Sequence, residues 1–390
     1  MFMSLFLAGI VRSAQFDSFF GLSASESPLI WRVAIRDRFM ENRPLRLRLA
    51  LGELVIVCVL LTSFSVHGQA PKLFATIHEH QIRNIAFSHD GKTLAIRTGD
   101  ADLVLWDVAS GKTRKKFEKI FRGGSFSMAF LHDGKSLAMN AGAIVFRLDL
   151  TTGKTTKLYQ HKDPDMPAFL LISSPNGKMV ASSDSQNVIV WDVVNERTVG
   201  SFSPEKDVDI NSLGFSPDGR MLAGSVVAGT AIGKNGIWLW DIERKLKPRF
   251  LAGTMGGIAI SPDGKSLATL GNAGAILVWD MQTDRLRTKW PIDIGTVAAQ
   301  SFSPNGKVFI AVGGEVPAFA PRGPGLVAFI DTRTGKLIKS AKLLPENIGW
   351  MSLSPDGKFL AVATESPSDE MKVFDVSALT LSENKPADKK

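Results

Sequence analysis

The stretch GIAISPDGKSLATLGNAGAILVWDMQTDRLRTKW, residues 257–290, holds the pattern that decides the fold. A short apolar run is followed by Ser-Pro-Asp-Gly at 261–264, where proline fixes its own φ, aspartate accepts hydrogen bonds from turn amides and glycine accommodates a positive φ. Runs rich in apolar and branched residues follow at 266–270 and 275–279, and the run at 286–290 alternates in polarity. The stretch therefore predicts four short antiparallel strands joined by tight turns.

Two markers of this pattern recur seven times. The turn glycines are spaced by 43, 43, 42, 45, 42 and 51 residues, and they are Gly91, Gly134, Gly177, Gly219, Gly264, Gly306 and Gly357. The third strand ends in an aspartate each time, at Asp107, Asp149, Asp192, Asp241, Asp280, Asp331 and Asp375. One small sheet cannot bury both of its faces alone, so seven copies in phase predict seven stacked sheets.

These residues resemble the WD40 repeat, which has a period of about 40–45 residues and four strands per unit. The Ser-Pro-Asp-Gly turn is also similar to that of bacterial propellers. The resemblance extends over residues 72–377 and implies an all-β fold, a seven-bladed β-propeller of four-stranded antiparallel blades. The run at 73–77 precedes the first complete set of strands, and we expect it to pair with the strands of 348–376 as an outer strand that closes the ring.

The chain departs from the WD40 pattern in two respects. Only four units keep the Trp-Asp pair, at Trp106, Trp191, Trp240 and Trp279, and these tryptophans are expected to pack between blades. The Gly-His dipeptide that often opens a WD40 unit is absent; His78 lies near that place in the first unit, and the later units show no equivalent. The family's buried Asp-His-Ser/Thr-Trp network is therefore expected to be incomplete.

Residues 1–71 do not fit the repeat. Arginines at 43, 46 and 48 precede an apolar stretch of 13 residues at 54–66, and small residues follow it, which is typical of a secretory signal over residues 40–68. The alternatives are a membrane anchor through residues 49–66, although a span needs about 20 residues, and a buried segment. Residues 1–39 are interpreted as a mis-called extension or a long leader, residues 69–381 as the propeller and residues 382–390 as a polar tail.

Composition limits the chemistry of the mature chain. Cys58, within the expected signal, is the only cysteine, so export would leave no thiol for disulfides, thiol catalysis or zinc ligation. The net charge is +8, which suits acidic partners or anionic envelope polymers. No basic strip is interleaved with aromatic residues, so nucleic-acid binding is not expected. An exported protein, periplasmic or extracellular, is the predicted location.

Catalytic and metal-binding patterns are not found. His78 and His80 could share a strand face as a two-histidine metal site, but no further ligands accompany them, and an ordinary loop is favoured. His89 and His132 occupy the proline position of the turn and are expected to be exposed. The repeated aspartates are expected to cap turn amides, because a catalytic residue would more often occur in one copy only. We therefore expect no catalytic, cofactor-binding or metal-binding residues.

The main functional hypothesis is a non-enzymatic scaffold for protein interaction. The alternatives are a propeller enzyme, such as a lactonase-like hydrolase or a quinoprotein-like oxidoreductase, and a propeller derived from a larger multidomain signalling protein. Two connections between second and third strands are long, at 226–236 and 313–325, and they extend the same face on either side of the fifth blade. The predicted partner-binding residues in them are Lys234, Asn235, Val316, Pro317, Phe319 and Arg322.

Overall fold

Runs of branched and aromatic residues, separated by turns with a glycine at positive φ, form 28 strands in the described part of the chain. The structure is a computed structural model, and it describes residues 70–120, 127–184, 186–204, 208–228, 235–253, 256–271, 274–314, 323–364 and 370–381. No helix among these residues reaches the length and apolarity needed to span a bilayer. The expected signal or anchor, the extension and the tail lie outside them.

The strands form seven four-stranded antiparallel sheets, the predicted blades, and in each blade strands a to d run from the inside outwards. Blades 1 to 3 contain β2 Ile82–Phe87, β3 Thr93–Thr98, β4 Leu103–Asp107, β5 Lys112–Phe117; β6 Met128–Phe130, β7 Ser136–Ala141, β8 Ile144–Asp149, β9 Thr155–Gln160; β10 Leu170–Ser173, β11 Met179–Ser183, β12 Val188–Asp192 and β13 Arg197–Phe202.

Blades 4 to 6 repeat this order, and blade 7 takes its outer strand from the beginning of the propeller. Their strands are β14 Val208–Phe215, β15 Met221–Ala228, β16 Gly236–Asp241, β17 Arg249–Ala252; β18 Ile258–Ile260, β19 Ser266–Leu270, β20 Ala275–Asp280, β21 Leu286–Pro291; β22 Thr296–Phe302, β23 Val308–Gly314, β24 Gly325–Asp331, β25 Leu337–Leu344; β26 Ile348–Leu353, β27 Phe359–Thr364, β28 Glu370–Asp375 and β1 Lys72–His78. A short helix, α1 Ser377–Thr380, follows β28.

Strand β1 closes the ring as the sequence predicts. It pairs antiparallel with β28, with Leu73 opposite Phe374 and Ile77 opposite Met371. Ile77 is buried in a cluster with residues of blades 1 and 7, and the Phe74 ring lies 4.7 Å from that of Phe359. Blade 7 thus joins both ends of the repeat region in one sheet, and its c strand is covered on the side that would otherwise be an open edge.

The blades form a ring in which all of them have the same orientation. Inner strands of neighbouring blades contact each other in turn, and β26 returns to β2. The a–b turns also lie side by side: a Cβ built on Gly306 would lie 3.5 Å from Pro262 Cδ of the preceding blade, and one on Gly91 would lie 3.6 Å from Pro355 Cδ. All a–b and c–d connections therefore lie on one face, named here the turn face. The b–c and d–a connections lie on the opposite one, the loop face.

The core lies between the blades. Trp106 and Trp240 are 3% and 1% exposed, in clusters that join blades 7 and 1 and blades 3 and 4. Trp191 and Trp279 are only half-buried, although Trp279 packs against the cluster shared by blades 4 and 5. The expected packing between blades is confirmed for all four, with full burial for two of them.

Candidate functional site

The predicted partner-binding residues lie in two connections, and the strands that flank these connections end at the loop face of blades 4 and 6. Five of the six lie outside the described residues: Lys234, Val316, Pro317, Phe319 and Arg322. Asn235 is described, is half-buried, and its carbonyl accepts a hydrogen bond from the Gly253 amide at 3.0 Å. Both long connections begin and end on this face, since strand β15 ends at Ala228 and β23 at Gly314. A third long connection, 365–369, joins β27 to β28 in blade 7.

The connection in blade 6 starts from a rigid base. Gly314 is paired with Gly325 across the hairpin, and the Thr296 hydroxyl donates a hydrogen bond to the Gly314 carbonyl at 3.0 Å. A Cβ on Gly313 would overlap the Thr296 carbonyl oxygen, and one on Gly314 would overlap the Asn347 side chain. Glycine is required here because neighbouring backbone and side chains approach closely, so the hairpin is pinned up to the residue where the loop begins.

Blade 4 has a similar base. Gly236 is paired with Val226 on one side and with Ala252 on the other, at the point where the connection enters the c strand. A Cβ on Gly236 would overlap the Leu251 carbonyl oxygen and the Phe250 ring. Both long connections are therefore presented by close-packed, fully paired strands. This is the usual arrangement of binding loops on a rigid scaffold.

A buried polar network links blades 2 and 3, and it was missed by the sequence analysis. His161 Nδ1 lies 3.2 Å from Asp184 Oδ2, and His161 Nε2 lies 2.6 Å from Ser182 Oγ. The Tyr159 hydroxyl donates to Ser182 Oγ at 2.9 Å, and its ring stacks on Trp191. A single donor direction, from tyrosine to serine to histidine to aspartate, satisfies every member if His161 is neutral with its proton on Nδ1.

The expectation that later units lack the family's histidine is therefore wrong for blade 3. His161 lies on the connection that enters this blade, where the WD40 histidine belongs, but Gln160 precedes it instead of glycine. Ser182 in the b strand and Asp184 just after it were the signals available in the sequence. Tyr159 supplies the donor to serine, a role that the family network gives to tryptophan.

The same three side chains have the order carboxylate, imidazole, hydroxyl of a hydrolase triad. His161, Ser182 and Asp184 are 2%, 0% and 3% exposed, so a substrate could not reach the hydroxyl without opening the blade. Burial lowers the pKa of His161, and the neighbouring Asp184 carboxylate only partly offsets this effect. A neutral, enclosed histidine of this kind holds two blades together and does not act as a base on an outside substrate.

The recurrent aspartates hold the turns, as the sequence predicts. Asp263 Oδ1 accepts hydrogen bonds from the Ser261 hydroxyl at 2.6 Å and the Lys265 amide at 3.0 Å, and these two donors lower its pKa. Asp280 accepts from the Thr283 amide at 2.9 Å, and that bond is the main cause of its lowered pKa. The carboxylates are thus engaged locally, one per turn, and do not form an array.

The two histidines that could have formed a metal site, His78 and His80, lie on different elements. His78 is the last residue of β1, whereas His80 lies in the next turn with its Nδ1 3.0 Å from Asp100 Oδ2, so the two do not share a strand face. Within the described ranges, no three His, Cys, Asp or Glu side chains lie together as ligands. His132 is exposed in its turn as expected, whereas His89 is half-buried.

A groove of 480 Å³ opens between blades 5 and 6 at the turn face. Trp290 and Phe302 form its floor, and Asp263, Arg287 and Thr332 are among its polar walls. Thr332 donates to the Gly306 carbonyl at 2.7 Å and Arg287 to Ser266 Oγ at 3.2 Å. These polar groups are used within the blades, and the groove provides no charged cluster directed at a ligand.

Comparisons with known proteins agree with the fold. No protein-family model matches the chain. It is 23% identical over 227 residues to TBC1 domain family member 31 of Homo sapiens, with 56% of this chain and 20% of that protein covered. It is 24% identical over 235 residues to Target of rapamycin complex subunit wat1 of Schizosaccharomyces pombe, with 57% and 58% covered.

A third similarity is to Small ribosomal subunit protein RACK1 of Candida albicans, 29% identical over 117 residues, with 28% of this chain and 36% of that protein covered. Of the first of these relatives, TBC1 domain family member 31, the alignment spans only about a fifth of the length. All three relatives are WD-repeat proteins. Seven four-stranded blades with in-phase turn and strand-end markers make the chain a seven-bladed β-propeller, and these similarities support its likeness to WD40-repeat proteins.

Proposed function

We propose that this protein is a non-enzymatic WD40-like scaffold that binds a protein partner on its loop face, outside the cytoplasm. The observation that carries the proposal is the pair of pinned hairpins in blades 4 and 6, which hold two long connections on the same face on either side of blade 5. Aromatic residues and arginines are common interface anchors, and the blade 6 connection carries one of each within four residues, Phe319 and Arg322.

Two further observations support a scaffold. Two relatives are components of assemblies by name, a complex subunit and a ribosomal subunit protein, and these relatives share the repeat. The Ser-His-Asp arrangement in blade 3 is enclosed, so it supports blade cohesion better than hydrolysis. The partner class that fits best is a protein; an anionic envelope polymer is the alternative, because the chain is basic overall.

The test is to replace residues 229–234 and 315–323 by Gly-Asn turns, singly and together, and to measure thermal unfolding and capture of partners from source cells. The point variants Phe319→Ser and Arg322→Glu examine the anchors, and Val316→Ser with Pro317→Ala examines their neighbours. Lys234→Ala and Asn235→Ala examine the blade 4 connection. We expect the double replacement to fold and to lose its partner.

The matched control is the same replacement at 365–369 in blade 7, which lies on the loop face but does not flank blade 5. It should retain the partner. A folded double variant that captures the same partner as the wild type would place the binding surface elsewhere.

The location is proposed from the N-terminal sequence. Residues 40–68 have the charged start, apolar middle and small-residue end of a signal, so the mature protein should begin near Gln69. N-terminal sequencing of protein from the source cell measures this directly. An uncleaved chain in the membrane fraction would indicate the anchor through residues 49–66, and an intact Met1 in a soluble cytoplasmic fraction would contradict export.

A further inference from the structure

Exposed apolar side chains are concentrated on the turn face. Among the described residues, eight large apolar side chains are exposed, and only Phe169 lies at the loop face. The other seven belong to c–d connections, to the turn-face ends of outer strands or to the segment after α1: Leu73, Phe74, Val194, Leu246, Leu286, Leu337 and Leu381. They occupy blades 3 to 7 and leave blades 1 and 2 polar, so this face has an apolar side.

Four of these residues are leucines next to basic residues, on four successive blades. The sequence is Lys-Leu-Lys at 245–247 in blade 4, Arg-Leu-Arg at 285–287 in blade 5, Lys-Leu-Ile-Lys at 336–339 in blade 6 and Lys-Leu at 72–73 in blade 7. The leucines are 58%, 39%, 49% and 51% exposed in that order. These four segments are named here the basic-leucine arc.

Acidic residues close to the arc are engaged by other groups. Glu243 pairs with Arg220 at 3.1 Å, and Asp284 pairs with Arg249 at 2.5 Å. In contrast, five basic side chains that lie beside the leucines of blades 4 to 6 and outside the groove form no ion pair within the described residues. They are Lys245, Lys247, Arg285, Lys336 and Lys339. The arc therefore presents positive charge beside the leucines of blades 4 to 6, whereas Lys72 of blade 7 lies opposite Asp375.

This pattern fits an anionic lipid surface better than it fits a nucleic acid or a protein groove. A leucine between two basic residues can place its side chain among acyl chains while its neighbours meet the phosphates. A single-stranded nucleic acid is bound through stacking aromatics, which the arc lacks, and contacts to duplex phosphates would make no use of the leucines. The leucines are also distributed singly over separate blades of one rigid ring, which suits a broad surface and not a single inserted helix or peptide.

The chain also enters the propeller on this side. Strand β1 begins at Lys72, within the arc, and the apolar stretch at 54–66 comes just before it in the sequence. If that stretch is the proposed signal or anchor, the residues that follow it closely in the sequence, including Lys72 and Leu73, come near a membrane. We propose that the basic-leucine arc docks the propeller on an anionic lipid membrane with the turn face towards the bilayer.

The experiment is co-flotation of the full chain with phosphatidylcholine vesicles that contain either no anionic lipid or about 30% phosphatidylglycerol. Wild type should bind the anionic vesicles more strongly, and about 0.5 M salt should remove the difference because it screens surface charge. The variant Lys245→Glu, Lys247→Glu, Lys336→Glu should lower partitioning at least about tenfold. The variant Leu246→Ser, Leu286→Ser, Leu337→Ser should lower it roughly tenfold.

The matched controls make the same kinds of substitution at positions outside the arc. Lys92→Glu, Lys112→Glu, Lys154→Glu makes the same charge change on the turn face of blades 1 and 2, where no exposed leucine lies, and Phe169→Ser removes an exposed apolar group from the loop face. Both should bind nearly as wild type. Any contribution of the stretch at 54–66 is common to all variants and appears on neutral vesicles too.

Three outcomes would overturn the proposal. They are equal binding of wild type to neutral and anionic vesicles, a loss in the controls as large as in the arc variants, and full binding by the leucine variant. Absence of vesicle binding would leave an acidic protein as the occupant of this face. Loss of the loop-face partner is a separate readout, so failure here does not decide the scaffold function.

Discussion

At the scale of single residues, the a–b turns require a side-chain oxygen acceptor, which either aspartate or asparagine supplies. Asp263 accepts from a serine hydroxyl and from the amide two residues on, and Asn305 in the next blade does the same, with 2.8 Å to Ser303 and 3.0 Å to the Lys307 amide. The amide and carboxylate oxygens are interchangeable in this geometry, which explains why the repeat tolerates both residues.

The first prediction follows from that equivalence. Asp263→Asn should change the free energy of unfolding at neutral pH by less than about 0.5 kcal/mol, whereas Asp263→Ala, which leaves both donors without this acceptor, should cost about 1 kcal/mol. Urea unfolding of the two variants at pH 7 measures the difference. Equal losses in both would mean that the carboxylate charge, and not the oxygen, holds the turn.

The second prediction concerns His161 and pH. Its folded pKa lies below the unfolded value of 6.5, because burial disfavours the charged ring, so the folded state binds fewer protons. The stabilising contribution is therefore complete above pH 6.5 and is lost as pH falls below it. The turn aspartates, with pKa values lowered from 3.8, lose their contribution only below about pH 3.8, so the two effects are separated.

Urea unfolding between pH 7.5 and pH 5 measures this slope. His161→Gln should flatten it, even if the variant is less stable overall. His132→Gln, which changes an exposed turn histidine, is the matched control and should keep the wild-type slope. A slope that is unchanged by His161→Gln would show that the histidine is not neutral in the folded protein.

At the scale of single elements, the glycines at the end of β23 show how a loop is supported. The third prediction is that Gly313→Ala costs about 1–3 kcal/mol, because its Cβ would overlap the Thr296 carbonyl oxygen and the two strands would have to separate. Gly257→Ala is the control: there a Cβ would lie 3.7 Å from the Gln300 side chain, in ordinary contact, and stability should be unchanged. Thermal unfolding distinguishes them; a tolerated Gly313→Ala would mean that the hairpin base is loose.

The repeated turns and strands were predictable, whereas the polar network that occurs in blade 3 was not. The Ser-Pro-Asp-Gly turn at 261–264 carries its conformation in its own residues, so seven copies fix strand, turn and blade number without any tertiary information. His161 was missed because its partners Ser182 and Asp184 are about 20 residues away in sequence and come together only when blades 2 and 3 meet.

The two candidate binding surfaces could be predicted from the sequence only in part, for the same reason. The long connections could be found by length alone, but most of their residues lie outside the described ranges, and Asn235 contributes to its hairpin through its backbone. The basic-leucine arc consists of single leucines in ordinary turns, such as Leu246 and Leu337. None of these turns is unusual within its own repeat unit. The four leucines form one surface only because the ring brings the same ends of four blades side by side.

At the scale of the whole molecule, the junction of β1 with β28 joins the two ends of the repeat region. The fourth prediction is that Ile77→Ala costs about 2–5 kcal/mol, because Ile77 is 7% exposed and joins the cluster between blades 7 and 1. Thr76→Ala, its exposed neighbour in the same strand, should change stability by less than about 0.5 kcal/mol.

Deletion of residues 73–77 should have a larger effect, because it uncovers β28 and leaves an open edge that can pair with another molecule. Light scattering after size-exclusion chromatography measures the expected aggregation. A deletion variant that stays monomeric and unfolds at the wild-type temperature would show that the junction is dispensable.

The same junction sets an order of events during synthesis. Leu73 and its partner Phe374 are about 300 residues apart, so β1 is made before every other strand of the propeller and β28 after them all. At about 5–20 residues per second, β1 waits some tens of seconds for its partner while the intervening blades are made. A chain whose synthesis ends before β28 therefore keeps β1 unpaired. Only a chain that is synthesised through β28 can pair its first strand.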